Sequence, residues 1–193
     1  RKQFVVKKAV KRAYVRATAL GIYELAINGQ KVGNEYFAPG FTSYKHILQY
    51  NEYDVTDMLK NENTIIAVVG GGWAVGRFTY SSKSKITCDR QAFLAELFIE
   101  YEEGTNEKII TDSSWQVMLE GNYRFGDFYD GETYDAAVNL NSAKWNSADI
   151  FKPKFKVNLC KQYGAKVVEH EVFKPIATYP CLLYTSPSPR DAT

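Results

Sequence analysis

Cysteine and histidine are scarce in this chain, with 3 and 2 copies in 193 residues. Cys88, Cys160 and Cys181 are too scattered for a disulfide framework or a zinc-ligand pattern, so all three are expected as free thiols. His46 and His170 lie far apart, and nothing signals a partner for a nucleophile–histidine–carboxylate relay near either. No run approaches the roughly 20 apolar residues needed to span a bilayer. A net charge of +2, from 24 basic and 22 acidic residues spread along the chain, leaves no electrostatic footprint for nucleic acid or an anionic membrane. The one basic concentration, Lys7, Lys8, Lys11, Arg12 and Arg16, reads as a solvated strand face. Gly70-Gly71-Gly72 is followed by neither the Gly-Lys-Ser/Thr ending nor the Gly-x-Gly-x-x-Gly spacing of a phosphate loop. Ser81-Ser82-Lys83-Ser84 reads as a solvated connection. The first residues, Arg1 to Val6, are already strand-like, so no signal peptide is seen and the compartment stays open.

Aromatic residues, by contrast, are abundant at 15%, with 14 Tyr, 11 Phe and 3 Trp. Such rings pack well on pleated sheets. They also suit proteins that bind sugars, whose apolar ring faces stack on aromatic ones. Tyr23, Leu25 and Ile27 alternate with Glu24 and Ala26, the two-residue period of a half-buried strand. Asn28-Gly29 follows, and both residues tolerate the positive φ of a type I′ turn, so a hairpin is predicted with Val32 returning beside Leu25. Phe4–Val6, Val10–Leu20, Ile47–Tyr53, Lys108–Ile110 and Asp112–Met118 read as further strands. Gln91–Tyr101 does too, with a short helix over Ala92–Glu100 as the alternative. Thr64–Val69 is apolar throughout and predicts a strand buried on both faces. Asp54 or Thr56 can cap a single helical turn. Short strands every eight to twelve residues, without long helices, predict an all-β, antiparallel jelly-roll-like β-sandwich over residues 1–140. Residues 141–180 are expected to open a second β-domain that is cut off.

Five blocks in order carry a resemblance: Gly21-x-Tyr-Glu-Leu-x-Ile-Asn-Gly-x-x-Val-Gly33, Pro39-Gly-Phe-Thr42, Tyr53-Asp-Val-Thr-Asp57, Gly70-Gly-Gly-Trp73 with Gly76-Arg-Phe78, and Tyr129-Asp-Gly-Glu-Thr-Tyr-Asp135. Together they resemble the N-terminal β-sandwich domain of bacterial α-L-rhamnosidases. The chain departs from that pattern with Phe41, where the family often has Trp, with Gly71 for Asn or Asp, with Ala74 for an aromatic, and near Lys45, where an acidic residue is common. The resemblance implies a parent enzyme that hydrolyses terminal α-L-rhamnosyl residues with inversion. It also implies acidic catalytic residues in a separate helical barrel, C-terminal to everything here.

No catalytic residue is therefore assigned within the chain. Asp127, Asp130, Glu132 and Asp135 form the obvious acidic run, but spacing alone cannot set two carboxylates at the separation inversion requires. Gly131 places a turn among them, and turns are commonly acidic. A solvated turn, a sugar contact and a domain-docking surface are the readings that stand. Trp73 either stacks on a sugar, with Arg77 donating to hydroxyls, or plugs the end of the sandwich. Tyr44, Asp130, Glu132 and Tyr134 complete the candidate contacts. No cofactor is indicated; calcium is open, although the spacing matches no EF-hand loop. Expected partners are a rhamnose-containing glycan or glycoside and the catalytic domain of the same parent chain. The rivals are a carbohydrate-binding module of another glycoside hydrolase and a purely structural packing domain. After Pro180, Cys181-Leu-Leu-Tyr-Thr-Ser-Pro-Ser-Pro-Arg-Asp191 fits no element and resembles a translated sequencing adapter, so residues 181–193 are expected to be non-native.

Overall fold

The computed structural model describes residues 1–78, 83–139 and 144–177. The expectations for Ser81, Ser82, Cys181 and residues 181–193 lie outside the described residues. A four-stranded antiparallel sheet runs in the order β1 (Lys2–Val5), β7 (Glu62–Gly70), β3 (Ile22–Ile27), β4 (Gln30–Lys31). A five-stranded sheet runs β14 (Leu159–Lys161), β6 (Leu48–Asp54), β2 (Val10–Leu20), β8 (Ala92–Tyr101), β9 (Asn106–Ile110), antiparallel except where β14 joins β6. Among the described residues there are also three two-stranded ladders: β5 (Glu35–Tyr36) with β15 (Val167–Val168), β10 (Gln116–Val117) with β13 (Asn146–Ser147), and β11 (Tyr123–Asp127) with β12 (Gly131–Tyr134). Helix is confined, among the described residues, to a 3-10 turn at Thr56–Met58 and one α turn, α1 (Gly72–Val75). The protein is the all-β, largely antiparallel sandwich that the strand spacing predicts.

Side-chain alternation explains how the sheets meet. Ala13, Val15, Ala17 and Ala19 of β2 point inward with Ala95, Leu97 and Ile99 of β8, and they meet Tyr23, Leu25 and Ile27 of β3 and Ile65 of β7 in one core. The outward residues of β2 are amphipathic: Tyr14 stacks on Phe98 at 5.0 Å between centroids, and Arg16 lies 2.7 Å from Glu52 and 3.8 Å from Glu96. Exposed pairs of this kind contribute about 0–1 kcal/mol each, so the inner face carries the fold.

The hairpin forms as its sequence dictates. Asn28 has φ 53° and Gly29 φ 81°, and the Val32 N–H donates to the Leu25 carbonyl at 2.8 Å. Asn28 also fastens the turn to its neighbours, donating to the Met58 carbonyl and to Asn63 Oδ1 and accepting from the Thr64 N–H. The predicted helical turn is present as a 3-10 turn, but its N-cap is Val55 without a side-chain cap bond, and Asp54 instead accepts at Oδ1 from the Thr56 N–H at 3.0 Å just before it. Gln91–Tyr101 resolves as strand rather than helix, pairing along β2 from Leu20 to Val10.

One strand differs from expectation. β7 is not buried on both faces: Ile65 is inaccessible, but Val68 is 52% exposed. Its unbroken apolar run reflects β-branched preference for extended backbone on an open sheet face, not a second covering layer. Of residues 141–180, expected to open a second β-domain, the described residues 144–177 contribute β13, β14 and β15, which pair with β10, β6 and β5. Cys88 and Cys160 are free, as their spacing predicts.

The core account is checked by Leu97→Ala at a fully enclosed position. We expect a loss of about 2–5 kcal/mol in urea unfolding; a loss under about 1 kcal/mol would show that β8 does not anchor the two sheets.

Candidate functional site

Three segments far apart in sequence converge at one end of the sandwich. The first, Phe37–Tyr44, is tied to the sheet by the Tyr23 N–H donating to the Ala38 carbonyl at 2.8 Å. The second is α1 and its continuation to Phe78, seated by Ala74, which is fully buried against Leu20, Tyr44, Leu48 and Cys88. The third is the turn at 128–130 that joins β11 to β12.

Aromatic rings bring the three together. Trp73 is half-buried and lies 4.5 Å from Phe128 between centroids. Phe37 meets both edge-on, at 6.3 Å from Trp73 and 5.3 Å from Phe128. Phe41 stacks on Phe78 at 5.3 Å and touches Trp73 edge-on at 6.1 Å. Phe37, Phe41, Phe78, Phe128 and Tyr129 all remain open to solvent, Phe41 by 53%. Contiguous exposed aromatic surface of this sort marks a contact site more often than it marks a defect in packing. Phe37 also has φ 58°, an uncommon backbone state for a bulky residue, at the start of a turn in which the Gly40 N–H donates to its carbonyl at 2.8 Å.

A polar edge borders the rings. The Arg77 guanidinium pairs with Asp130 Oδ1 at 2.7 Å and lies over the Tyr129 ring at 5.1 Å. Asp127 joins the second segment to the third: its Oδ2 accepts from the Arg77 N–H at 2.6 Å and its Oδ1 from the Tyr129 N–H at 2.9 Å. Burial pushes the Asp127 carboxyl up, but the backbone N–H groups of Tyr129, Arg77 and Asp130 outweigh it and hold the group below the usual carboxylate range. Gly76 is required at this joint, because a Cβ there would lie 2.7 Å from Asp127 Oδ2 and 2.5 Å from the Gly72 carbonyl oxygen.

The sequence-predicted residues divide among three places. Trp73, Arg77 and Asp130 lie together at the surface. Tyr44 is 3% exposed beneath them, with its ring 6.1 Å from Phe41; burial raises its phenol above the ordinary range. Glu132 and Tyr134 lie along β12, exposed, with Tyr134 edge-on to Tyr123 at 5.1 Å at the open end of the hairpin, away from the 128–130 turn. Phe37 and Phe128 were not singled out by sequence, although each flanks one of the quoted blocks. His46 and His170 are surface residues. Among the described residues no three His, Cys, Asp or Glu side chains converge as a metal-ligand set, and no helix is long and apolar enough to cross a membrane.

The family model described as "Alpha-L-rhamnosidase N-terminal domain" matches residues 8–178. The chain belongs to this family. Among similar proteins, an α-L-rhamnosidase of Formosa agariphila is 34% identical over 150 residues, covering 77% of this chain and 16% of that protein. One of Streptomyces avermitilis is 39% identical over 141 residues, covering 72% and 13%. The crystal structure of native α-L-rhamnosidase from Aspergillus terreus superposes with a TM-score of 0.72 at 34% identity, over 81% of this chain and 19% of that one. A Streptomyces avermitilis α-L-rhamnosidase solved in complex with L-rhamnose superposes with a TM-score of 0.69 at 34% identity, over 77% and 16%. This α-L-rhamnosidase N-terminal domain thus spans about a sixth of the length of such relatives.

The Asp127 joint is tested by Asp127→Ala. Exchange of the Arg77 and Tyr129 amides should accelerate on the order of tenfold or more, as expected for hydrogen bonds to a charged acceptor. Unchanged exchange at both amides would show that the carboxylate does not hold the loop.

Proposed function

We propose that this domain is the accessory carbohydrate-recognition part of a larger inverting α-L-rhamnosidase, and that the aromatic cluster around Trp73 is where it meets a terminal L-rhamnosyl group. The observation that carries the reading is the exposed set of rings bordered by one ion pair. Sugar rings present apolar C–H faces that stack on aromatic surface, while their hydroxyls need a few fixed donors and acceptors, here the Arg77 guanidinium and the Asp130 carboxylate. L-Rhamnose is the sugar of choice because a similar protein was solved in complex with it. Its 6-deoxy methyl group adds apolar surface for such a cluster.

Catalysis belongs elsewhere in the parent chain on this reading. An inverting hydrolase needs one carboxyl kept protonated as a general acid and a second as a base. Asp127 is held ionised by three backbone N–H groups, so it is not prepared to donate a proton, and Asp130 Oδ1 is engaged by the Arg77 guanidinium at 2.7 Å. A second reading, a scaffold that docks the same rings against the remainder of the enzyme, is favoured by the exposed apolar area and by the greater length of the relatives.

Trp73→Ala distinguishes the two. Calorimetric titration of L-rhamnose into the chain should show Kd rising at least about tenfold, near 1.4 kcal/mol, while the circular dichroism spectrum and unfolding midpoint stay close to those of the parent chain. Unaltered affinity would contradict sugar recognition at Trp73, and absence of L-rhamnose binding by the unsubstituted domain itself would favour the scaffold.

A further inference from the structure

We propose that residues 144–177 are a strap belonging to this sandwich, latched at Glu35 by Lys166, and that the latch opens in acid as a unit separate from the core. The claim is independent of sugar binding and rests on two buried polar side chains. Glu35 of β5 is only 4% exposed at its side chain, and Lys166 reaches over it with Nζ 2.6 Å from Oε1. Asn51 of β6, also buried, donates from Nδ2 to Gln162 Oε1 at 2.7 Å. Both partners come from the strap. An isolated buried carboxylate is strongly unfavourable, so the sandwich is incomplete at this point without it.

Backbone pairing follows the same path. β14 adds in parallel to β6, the Gln162 N–H donates to the Tyr50 carbonyl at 2.9 Å, and β15 pairs with β5 so that Val168 lies opposite Glu35. Upstream, Phe151, Phe155 and Val157 pack on the small core of Leu20, Tyr44, Leu48, Ala74 and Cys88 that seats α1. The strap therefore braces the underside of the Trp73 loop as well as covering Glu35. Its own side chains are mostly half-buried or exposed, which gives it little apolar area of its own and marks it as the part that opens first.

The groups facing Glu35 determine its response to pH. Lys166 approaches from the strap, and its ammonium also lies 5.8 Å from the Tyr53 ring. From β6 come Asn51 and the Tyr53 phenol, from β3 the Tyr23 phenol, and from the chain just before Glu35 the Asn34 N–H at 3.0 Å. Burial raises the Glu35 carboxyl, but Lys166 and the backbone N–H groups of Glu35 and Asn34 together bring it below the usual range. A carboxyl lowered on folding stabilises the folded state above its unfolded pKa, and that contribution is lost as pH falls through the lower folded value. Lys166 is the strongest of the groups that oppose burial, so without it the carboxyl rises and release begins at higher pH. Lys161 on Glu52, at 2.9 Å, is a second and more exposed tie that the loss of Lys166 leaves in place.

Hydrogen exchange of the 193-residue chain, followed residue by residue from about pH 7 to about pH 4, tests the latch in the parent chain, Lys166→Met, Glu35→Gln and the pair combined. Lys166→Met should accelerate exchange across 159–168 at least about tenfold near pH 7, with Leu97 and Ile99 unaffected, and should move acid release to higher pH. Glu35→Gln should flatten the acid dependence, and adding it to Lys166→Met should recover part of the lost protection. Equal protection of 159–168 in the parent and Lys166→Met would overturn the latch. Loss of protection at Leu97 and Ile99 in step with 159–168 would overturn the separate strap, and an acid response that persists in Glu35→Gln would remove Glu35 as its origin.

Discussion

Contact between the inner faces of two antiparallel sheets is the constraint from which the rest of this structure follows. β2 lies at the centre of the five-stranded sheet, and the small side chains Ala13, Ala17 and Ala19 let Leu25, Ile27 and Ile65 approach from the opposite sheet while Leu97 and Ile99 fill the space beside them. That packing fixes where the strands end. The segments leaving β5 and β7 and the turn between β11 and β12 then meet at one end of the sandwich, where loops are free to vary and to carry contacts. Trp73 is positioned because Ala74, one residue on, has no exposure at all and roots α1 in the second core.

Local features of the fold are legible in the sequence. Asn28-Gly29 specifies its turn through backbone conformations few other residues accept, and the alternation on β2, β3 and β8 reports which face is buried. The turn at Thr56–Met58 is written in Asp54 and Thr56. Partnership between distant strands is not written in this way. β2 pairs with β8 across some eighty intervening residues, and β14 adds to β6 across more than a hundred, with nothing local to mark either choice. β7 shows the complementary error: a β-branched run has the composition of a strand buried on both faces although Val68 lies in the open.

The candidate site shows the same division. Trp73, Arg77 and Asp130 draw notice as a tryptophan after glycines, a cation and a turn carboxylate, but their meeting depends on Asp127 tying the 76–78 segment to the 128–130 turn. Phe37 and Phe128 look like any other phenylalanine in a chain with eleven of them. Only the fold shows that they share one surface with Trp73. Membership of the α-L-rhamnosidase N-terminal family accounts for the sandwich and for the chain's matching only about a sixth of such relatives, while the aromatic surface at its end is a feature of loops set on that fold.

The central claim is that the rings at the end of the sandwich form a surface for a rhamnosyl group. Its most direct measurement is a nuclear magnetic resonance titration of the chain with L-rhamnose, following every assigned backbone amide and the Trp73 indole. The account predicts saturable shifts concentrated at Phe37, Phe41, Trp73, Arg77, Phe128 and Tyr129. Shifts confined to another face, such as the Tyr14 and Phe98 stack on the outer sheet, or no saturable shift at any residue, would contradict it.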